Sequence, residues 1–528
     1  MSLDDAVRNS ARSFGSRPSQ VLPFYVAGVA VPVIVRVVPF LGLLLAYLSL
    51  QGSGRLEAVR AELEPAAPIS IDGVTRGTTE ASAIDEEALG EALLDLLTPT
   101  VIAILVVTTL VSILLFAVMQ SAVAAGRLHT VFAVLTGGAQ TGSTDPGPTA
   151  GADGTASTQA PTRAGVDGVF EHTWTFFGLA VLEFLAILVL FGIPTAMIAI
   201  AVLADFIWLV IPAIPMFFLA IPVALLVRLL FAFARPAAVV EGAGAIPALK
   251  NGYGHVRGNL LQSIGYGALA LGLVMVANMI GGAFSQFGAV SVSTLVPLVF
   301  VFPLLDLAKT SLYAQDAGVA LASPPIPERG RIERLRGGVA RGWSAFVSFT
   351  RGHLGLVAIS TVVLAAGVWV GLWAGSQVDD LFVASIETRI GRQGPIAAFF
   401  HYAANNWSVA AGQSLAGIAV GVPTIVSLAF NGANVGFLYQ LEADQEILLA
   451  FVAPHGVIEI PALLFSGALG LHLGRVGWGY AFGDVDRDRL ASAIDRAFQV
   501  LVGLAVLFVV AAVIEGFVSP YYWRLIGI

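Results

Sequence analysis

The chain is predicted to be an all-α polytopic integral membrane protein with about 10–11 transmembrane helices in two helical modules. Three observations predict this. Of its 528 residues, 57% are hydrophobic and only 12% are charged, about half the charge of a soluble domain. The apolar residues fall in long runs, many exceeding the roughly 20 residues that a helix needs to cross a bilayer. Backbone polar groups in lipid must be satisfied within the segment, which runs of this length achieve only as helices.

Taken in order, the expected spans of the first module are 22–50, 98–122, 173–203, 206–234, 260–284 and 290–312. Those of the second are 354–375, 403–422, 424–441, 447–474 and 490–516. Pro32, Pro39, Pro194, Pro212, Pro215, Pro222 and Pro303 interrupt several of them. Membrane helices tolerate such prolines when neighbours satisfy the freed carbonyls. The polar stretch 1–20, with Arg8, Arg12 and Arg17, precedes an apolar run too long for a signal sequence, so that run reads as the first span. The N-terminal module covers 1–322, a Pro/Arg-rich linker 323–340, and the C-terminal module 341–528.

Arginine and lysine set the expected orientation. Arg8, Arg12 and Arg17 place the N-terminus in the cytoplasm. The loop 51–97 has ten Asp or Glu against Arg55, Arg60 and Arg76, and is expected outside. Arg127 and Arg163 flank a cytoplasmic loop. Arg228, Arg235, Lys250 and Arg257 mark a second, and Lys309, Arg329, Arg331, Arg334, Arg336 and Arg341 a third. Beyond Gly375 the orientation depends on 403–441. Two passes turning at Gly421-Val-Pro423 put Glu442, Asp444 and Glu446 outside; one bent pass reverses this.

The segment 136–168 is built of Gly, Thr, Ala, Ser and Pro, cannot bury a core and is expected to be a disordered cytoplasmic loop. In 376–392, Val378, Leu381, Phe382, Ile386 and Ile390 recur at helical spacing, with Asp379, Asp380, Glu387, Arg389 and Arg392 between them. That pattern fits an amphipathic surface helix or a connecting helix packed on the bundle. The chain has no cysteine, which excludes disulfides, thiolate metal sites and cysteine nucleophiles. Its net charge of −8 with two lysines is acidic and lysine-poor, as in proteins of salt-loving archaea.

The chemistry-bearing motif is Pro454-His455-Gly456-Val457-Ile458-Glu459. Residues four apart share a helix face, so His455 and Glu459 lie together within a span. Ionisable groups at membrane depth are costly and face a bundle interior. Asn405, Asn406, Asn431, Asn434 and Glu515 are the other candidate polar residues, with Asn431 or Asn434 and Glu515 the expected neighbours of the pair. Three readings stand: interhelical hydrogen bonds that lock packing, a solute or ion path, and an intramembrane metal or hydrolytic site. The chain lacks His-Glu-x-x-His, a phosphate-binding Gly-x-x-x-x-Gly-Lys loop and Gly-x-Ser-x-Gly. No catalytic residue, metal or cofactor is assigned.

With Asn405-Asn406, Gly412, Gly417, Asn431-Gly432, Gly436, the Pro-His-Gly-x-x-Glu motif, Gly467, Gly470, Gly474 and the ending Ile514-Glu515-Gly516-Phe517-Val518-Ser519-Pro520, residues 341–520 resemble the stage II sporulation protein M family. The N-terminal module weakly resembles membrane domains attached to some glycerophosphodiester phosphodiesterases, without a catalytic part. The first resemblance implies a multi-pass membrane anchor for partner proteins in envelope organisation. Gly432, Gly436, Gly467 and Gly470 are the expected points of close helix approach. The expected partners are membrane lipids and other membrane or envelope proteins, possible second copies of the chain among them. Nucleic acid is not expected, because no soluble domain accompanies the basic residues. The expected location is the cell membrane.

Overall fold

The computed structural model describes residues 2–71, 85–137, 160–286, 289–324, 329–388, 390 and 394–527. These residues are helical apart from turns and a pair of two-residue strands, and ten helical stretches among them are long and apolar enough to cross a bilayer. The protein is therefore an all-α polytopic membrane protein. In chain order the helices are α1 (Leu3–Ser16), α2 (Pro18–Ala27), α3 (Ala30–Leu50), α4 (Arg55–Leu63), α5 (Glu86–Asp95), α6 (Pro99–Thr136) and α7 (Ala160–Leu203). Next come α8 (Val210–Val240), α9 (Ala245–Gly258), α10 (Leu260–Gln286), α11 (Val290–Val296), a π-helical turn (Pro297–Val301) and α12 (Phe302–Asp316). The C-terminal part has α13 (Arg331–Gly352), α14 (Leu354–Gly375), α15 (Pro395–Ala416), α16 (Val422–Leu441), α17 (Gln445–Ala481), α18 (Arg487–Phe517) and α19 (Ser519–Leu525).

Contacts group the chain into two compact units. The first is Met1–Gly28, Ala117–Asn278 and Val296–Glu328; the second is Val29–Phe116, Met279–Leu295 and Arg329–Ile528. The second unit thus includes two segments that chain order alone puts in the N-terminal module.

In the first unit, α1 opens with a capping box between Ser2 and Asp5 and buries Ala6, Ser10 and Ser13. Phe233 stacks near His255 (4.6 Å between centroids) and Tyr266 (5.3 Å) in a core that also holds Phe176, Leu229 and Tyr313. This unit also buries charge. Lys309 Nζ lies 2.6 Å from Asp306 Oδ1, and the Tyr25 hydroxyl donates to Asp306 Oδ2 at 2.7 Å. The Arg127 guanidinium sits 5.3 Å from the centre of the Tyr25 ring. Lys309 is therefore a buried partner within α12, not a loop charge. Arg228 and Arg235 likewise lie within α8, where both reach Glu183 of α7 (4.0 and 2.7 Å).

In the second unit α14 and α16 run side by side in the same direction, joined through glycine. A Cβ on Gly367 or Gly371 would strike the Ala429 or Ala433 carbonyl, and one on Gly432 or Gly436 would strike the Leu364 or Val368 carbonyl. Small residues allow this backbone-on-backbone approach, which substitutes for the missing hydrophobic drive between helices in lipid. α16 runs antiparallel to α17, where Gly467 and Gly470 meet Leu428 and Thr424. α15 runs parallel to α17. The fully buried Gln413 of α15 donates to the Leu463 carbonyl (3.2 Å) and Ser466 Oγ (2.8 Å), and its own carbonyl accepts from Thr424 (2.7 Å). Segment 403–441 is thus two helices, with Gly421 at φ +82° capping the turn. Only glycine adopts that backbone freely. α15 is not among the ten stretches apolar enough to span, in keeping with its Asn405, Asn406 and Gln413.

Three connections of this unit fold together as a cap. Ile69–Ser70 pairs in parallel with Phe382–Val383, and Ala384 bonds both Leu441 and Ala443 through its backbone. Arg60 holds the Gln377 carbonyl (2.8 Å) and the Asp380 carboxylate. Leu56 and Leu96 pack on Leu50 and Val101. This corrects the amphipathic helix expected over 376–392. The described part is turns and a strand, because Leu381 and Ile386 bury themselves while the backbone between them pairs with distant segments. Arg389 and 391–393 lie outside the described residues. So do 138–159 of the expected loop 136–168, whose last part, Ala160–Gly168, begins α7. Residues 331–340 of the expected linker are helical as the start of α13, and 325–328 lie outside the described residues.

Candidate intramembrane polar site

His455 and Glu459 are carried by α17, one turn apart, and Glu459 lies about 21 Å along that helix from Gln445 at about 1.5 Å per residue. Asp444 caps the helix by accepting from Ile447 N at 3.0 Å. Pro454 and Pro461 bracket the pair. Glu515 comes from the last turn of α18, and α19 begins at Ser519, whose following Pro520 suits a first helical turn.

The ligand atoms of His455, Glu459 and Glu515 all lie within 4.8 Å of one another. His455 Nε2 is 3.9 Å from Glu515 Oε1, and the two side chains are only 7% and 9% exposed. On the other side of the imidazole, Nδ1 is 2.8 Å from Ser519 Oγ. The Asn406 side chain of α15 lies beside Glu459, and Asn405 Nδ2 donates to Asn406 Oδ1 at 3.1 Å. One oxygen of each carboxylate, Glu459 Oε2 and Glu515 Oε2, is buried with no hydrogen-bond partner. Among the described residues no arginine or lysine ion-pairs with either. Tyr402 lies close enough to feel both charges.

The structure therefore brings together His455, Glu459, Glu515 and Asn406. Asn405 sits one step further out, also accepting from Ser291 at 3.2 Å. Asn431 and Asn434 are not part of the cluster. Their amides donate to carbonyls of their own helix, Ser427 (2.8 Å) and Phe430 (3.2 Å), and Asn434 is exposed. Ser519 has no spacing signal; in the sequence it stands out only within the ending Ile514–Pro520 that carries the family resemblance. A separate buried polar cluster, Tyr25, Asp306 and Lys309, carries no motif, and Lys309 reads from sequence only as a topology marker. Chemically, one imidazole nitrogen and two carboxylates in an apolar shell can bind a cation, share a proton or pin helices together.

Comparison with known proteins bears on the same stretch. Residues 360–520 match the family model of Stage II sporulation protein M. An uncharacterized protein of Methanocaldococcus jannaschii is 29% identical over 107 residues, which is 20% of this chain. The chain spans about 60% of that relative's length. No solved structure matches. The family match does not reach the N-terminal module, so the phosphodiesterase-like resemblance there has no support from it. It does take in Asn406, His455, Glu459, Glu515 and Ser519, and over this stretch the chain is similar to the stage II sporulation protein M family.

Proposed function

We propose that this protein is a non-catalytic membrane scaffold that anchors partner membrane or envelope proteins. The observation that carries this reading is the cap on the second unit. Connections from around residues 60, 380 and 442 are tied into one body by backbone pairing, although loops between membrane helices have no need of order. Ordered extramembrane surface on a rigid helical base suits docking. Glu57, Glu64, Glu86, Glu87 and Asp379 are exposed on it, so a partner with a basic face fits best. The family likeness points the same way. In this reading the acidic cap faces outside and the arginine-rich α13 lies in the cytoplasm, as the charge bias of 51–97 and 329–341 favours.

A second reading, an ion path past His455, draws on the unpartnered carboxylate oxygens. One experiment separates the two. Photo-crosslinkers at positions 57, 64 and 379 in native membranes are expected to trap the same discrete partner, and Arg60→Glu to abolish the adduct. The purified protein in liposomes is expected to pass neither protons nor divalent cations. Flux that disappears with Glu459→Gln, with no partner trapped at the cap, overturns the scaffold.

A further inference from the structure

We propose that His455 Nε2 and the carboxylates of Glu459 and Glu515 bind one divalent transition-metal ion, of the Zn2+ or Mn2+ kind, that clips α17 to α18. This inference is independent of the scaffold reading.

The donor set is the first ground. One imidazole and two carboxyl groups from two helices offer ligand atoms within 4.8 Å of one another, and among the described residues no arginine or lysine ion-pairs with either carboxyl. Such a mixed nitrogen and oxygen set is what a divalent cation takes, with release of any protons the ligands hold. The second ground is the orphaned oxygens. Glu515, nine-tenths buried with its other oxygen 3.9 Å from His455, and Glu459 each keep one buried oxygen that no hydrogen-bond donor meets. A bound group is what such atoms lack.

The third ground is the outer set of contacts. A ligating histidine donates its other ring N–H to a neighbour, which fixes the tautomer and turns the lone pair to the metal. Here Nδ1 meets Ser519 Oγ at 2.8 Å, which leaves Nε2 facing the carboxylates. Asn406 lies beside Glu459 and accepts from Asn405 at 3.1 Å. Ligating carboxylates are oriented in the same way.

Ligand chemistry selects the ion. Mixed imidazole and carboxylate donors suit zinc, manganese and ferrous iron, and an all-oxygen calcium or magnesium site lacks the imidazole. Ligands about 2.1 Å from a common ion at tetrahedral angles lie about 3.4 Å apart, so the 4.8 Å spread closes with side-chain rotations of about an ångström.

The test uses the full chain, purified in detergent with a tag free of histidine. After equilibration with ZnCl2 or MnCl2 and desalting, elemental analysis is expected to find about one ion per chain. EDTA is expected to lower the melting temperature and the metal to restore it. Glu459→Gln with Glu515→Gln removes the two anions and is expected to bind no metal while eluting as a single species. Ser519→Ala keeps all three ligands and is expected to weaken affinity about 10–100-fold. If the double variant does not fold, Ser519→Ala and the EDTA melt decide. Substoichiometric metal in the wild type, or full metal in the double variant, overturns the proposal, as does Ser519→Ala without effect on affinity. A proton shared between the carboxylates gives the first of those results.

Discussion

The two units bury charge in different ways. In the first, Asp306 has Lys309 at 2.6 Å and the Tyr25 hydroxyl at 2.7 Å, and the Arg127 guanidinium lies near the same tyrosine. Each carboxylate oxygen of Asp306 has its own donor. In the second, Glu459 and Glu515 share a pocket with one imidazole, and an oxygen of each has no donor. Both sites are shielded from solvent, so burial does not distinguish them. The first is complete as protein alone. The second leaves one oxygen of each carboxyl group without a donor, which is the shortfall the proposed metal ion would meet.

The largest effect that tests this contrast is expected in the first unit. Lys309→Met strands Asp306 and should cost about 3–5 kcal/mol, whereas Lys309→Met with Asp306→Leu should recover most of it. Melting in detergent measures both; an unchanged single variant breaks the contrast. Next is the glycine seam of the second unit. Gly432→Ala drives a methyl group into the Leu364 carbonyl and should cost about 1–3 kcal/mol. Gly338 of α13 faces open space, and the same change there should gain up to about 1 kcal/mol.

A further gain is expected at the site itself. In EDTA-treated protein Glu515→Met, which removes the buried oxygen without a donor, should raise stability by about 1 kcal/mol, the low end of what an unsatisfied buried group costs. A loss of stability there would mean that the carboxyl group already has a partner. The smallest effect is expected at the cap. Arg60→Ala removes a half-exposed pair worth at most about 1 kcal/mol, yet it should speed hydrogen exchange around 55–70 if Arg60 ties the cap together.

Spans were legible because runs of apolar residues need no partner to declare themselves. The pair His455 and Glu459 was legible for the same reason, since four-residue spacing is a local fact. Glu515 joined them through resemblance, not spacing. Asn431 and Asn434 look like Asn406 in sequence but sit on α16, with amides turned back to their own helix, and which helix meets α17 with which face is set by packing. The segment 376–392 misled because the apolar spacing of Leu381 and Ile386 also suits a connection of turns and a short strand, in which Leu381, Ala384 and Ile386 are the buried residues. Lys309 misled because a lysine near a span end reads as a topology marker until Asp306, one turn earlier on the same helix, is seen to face it.

The parallel strand pair has a consequence for how the chain is made. Ile69 pairs with Phe382, and roughly 300 residues separate them. At about 5–20 residues per second, ribosomes take roughly 15–60 s to bridge that gap. Throughout that interval the first strand has been synthesised and its partner has not. Half a cap, with unpaired backbone and exposed leucines, must be kept from aggregating while several membrane helices are inserted. Truncation of the nascent chain anywhere before Phe382 should therefore leave the 55–70 segment open to protease, and completion of that strand should close it.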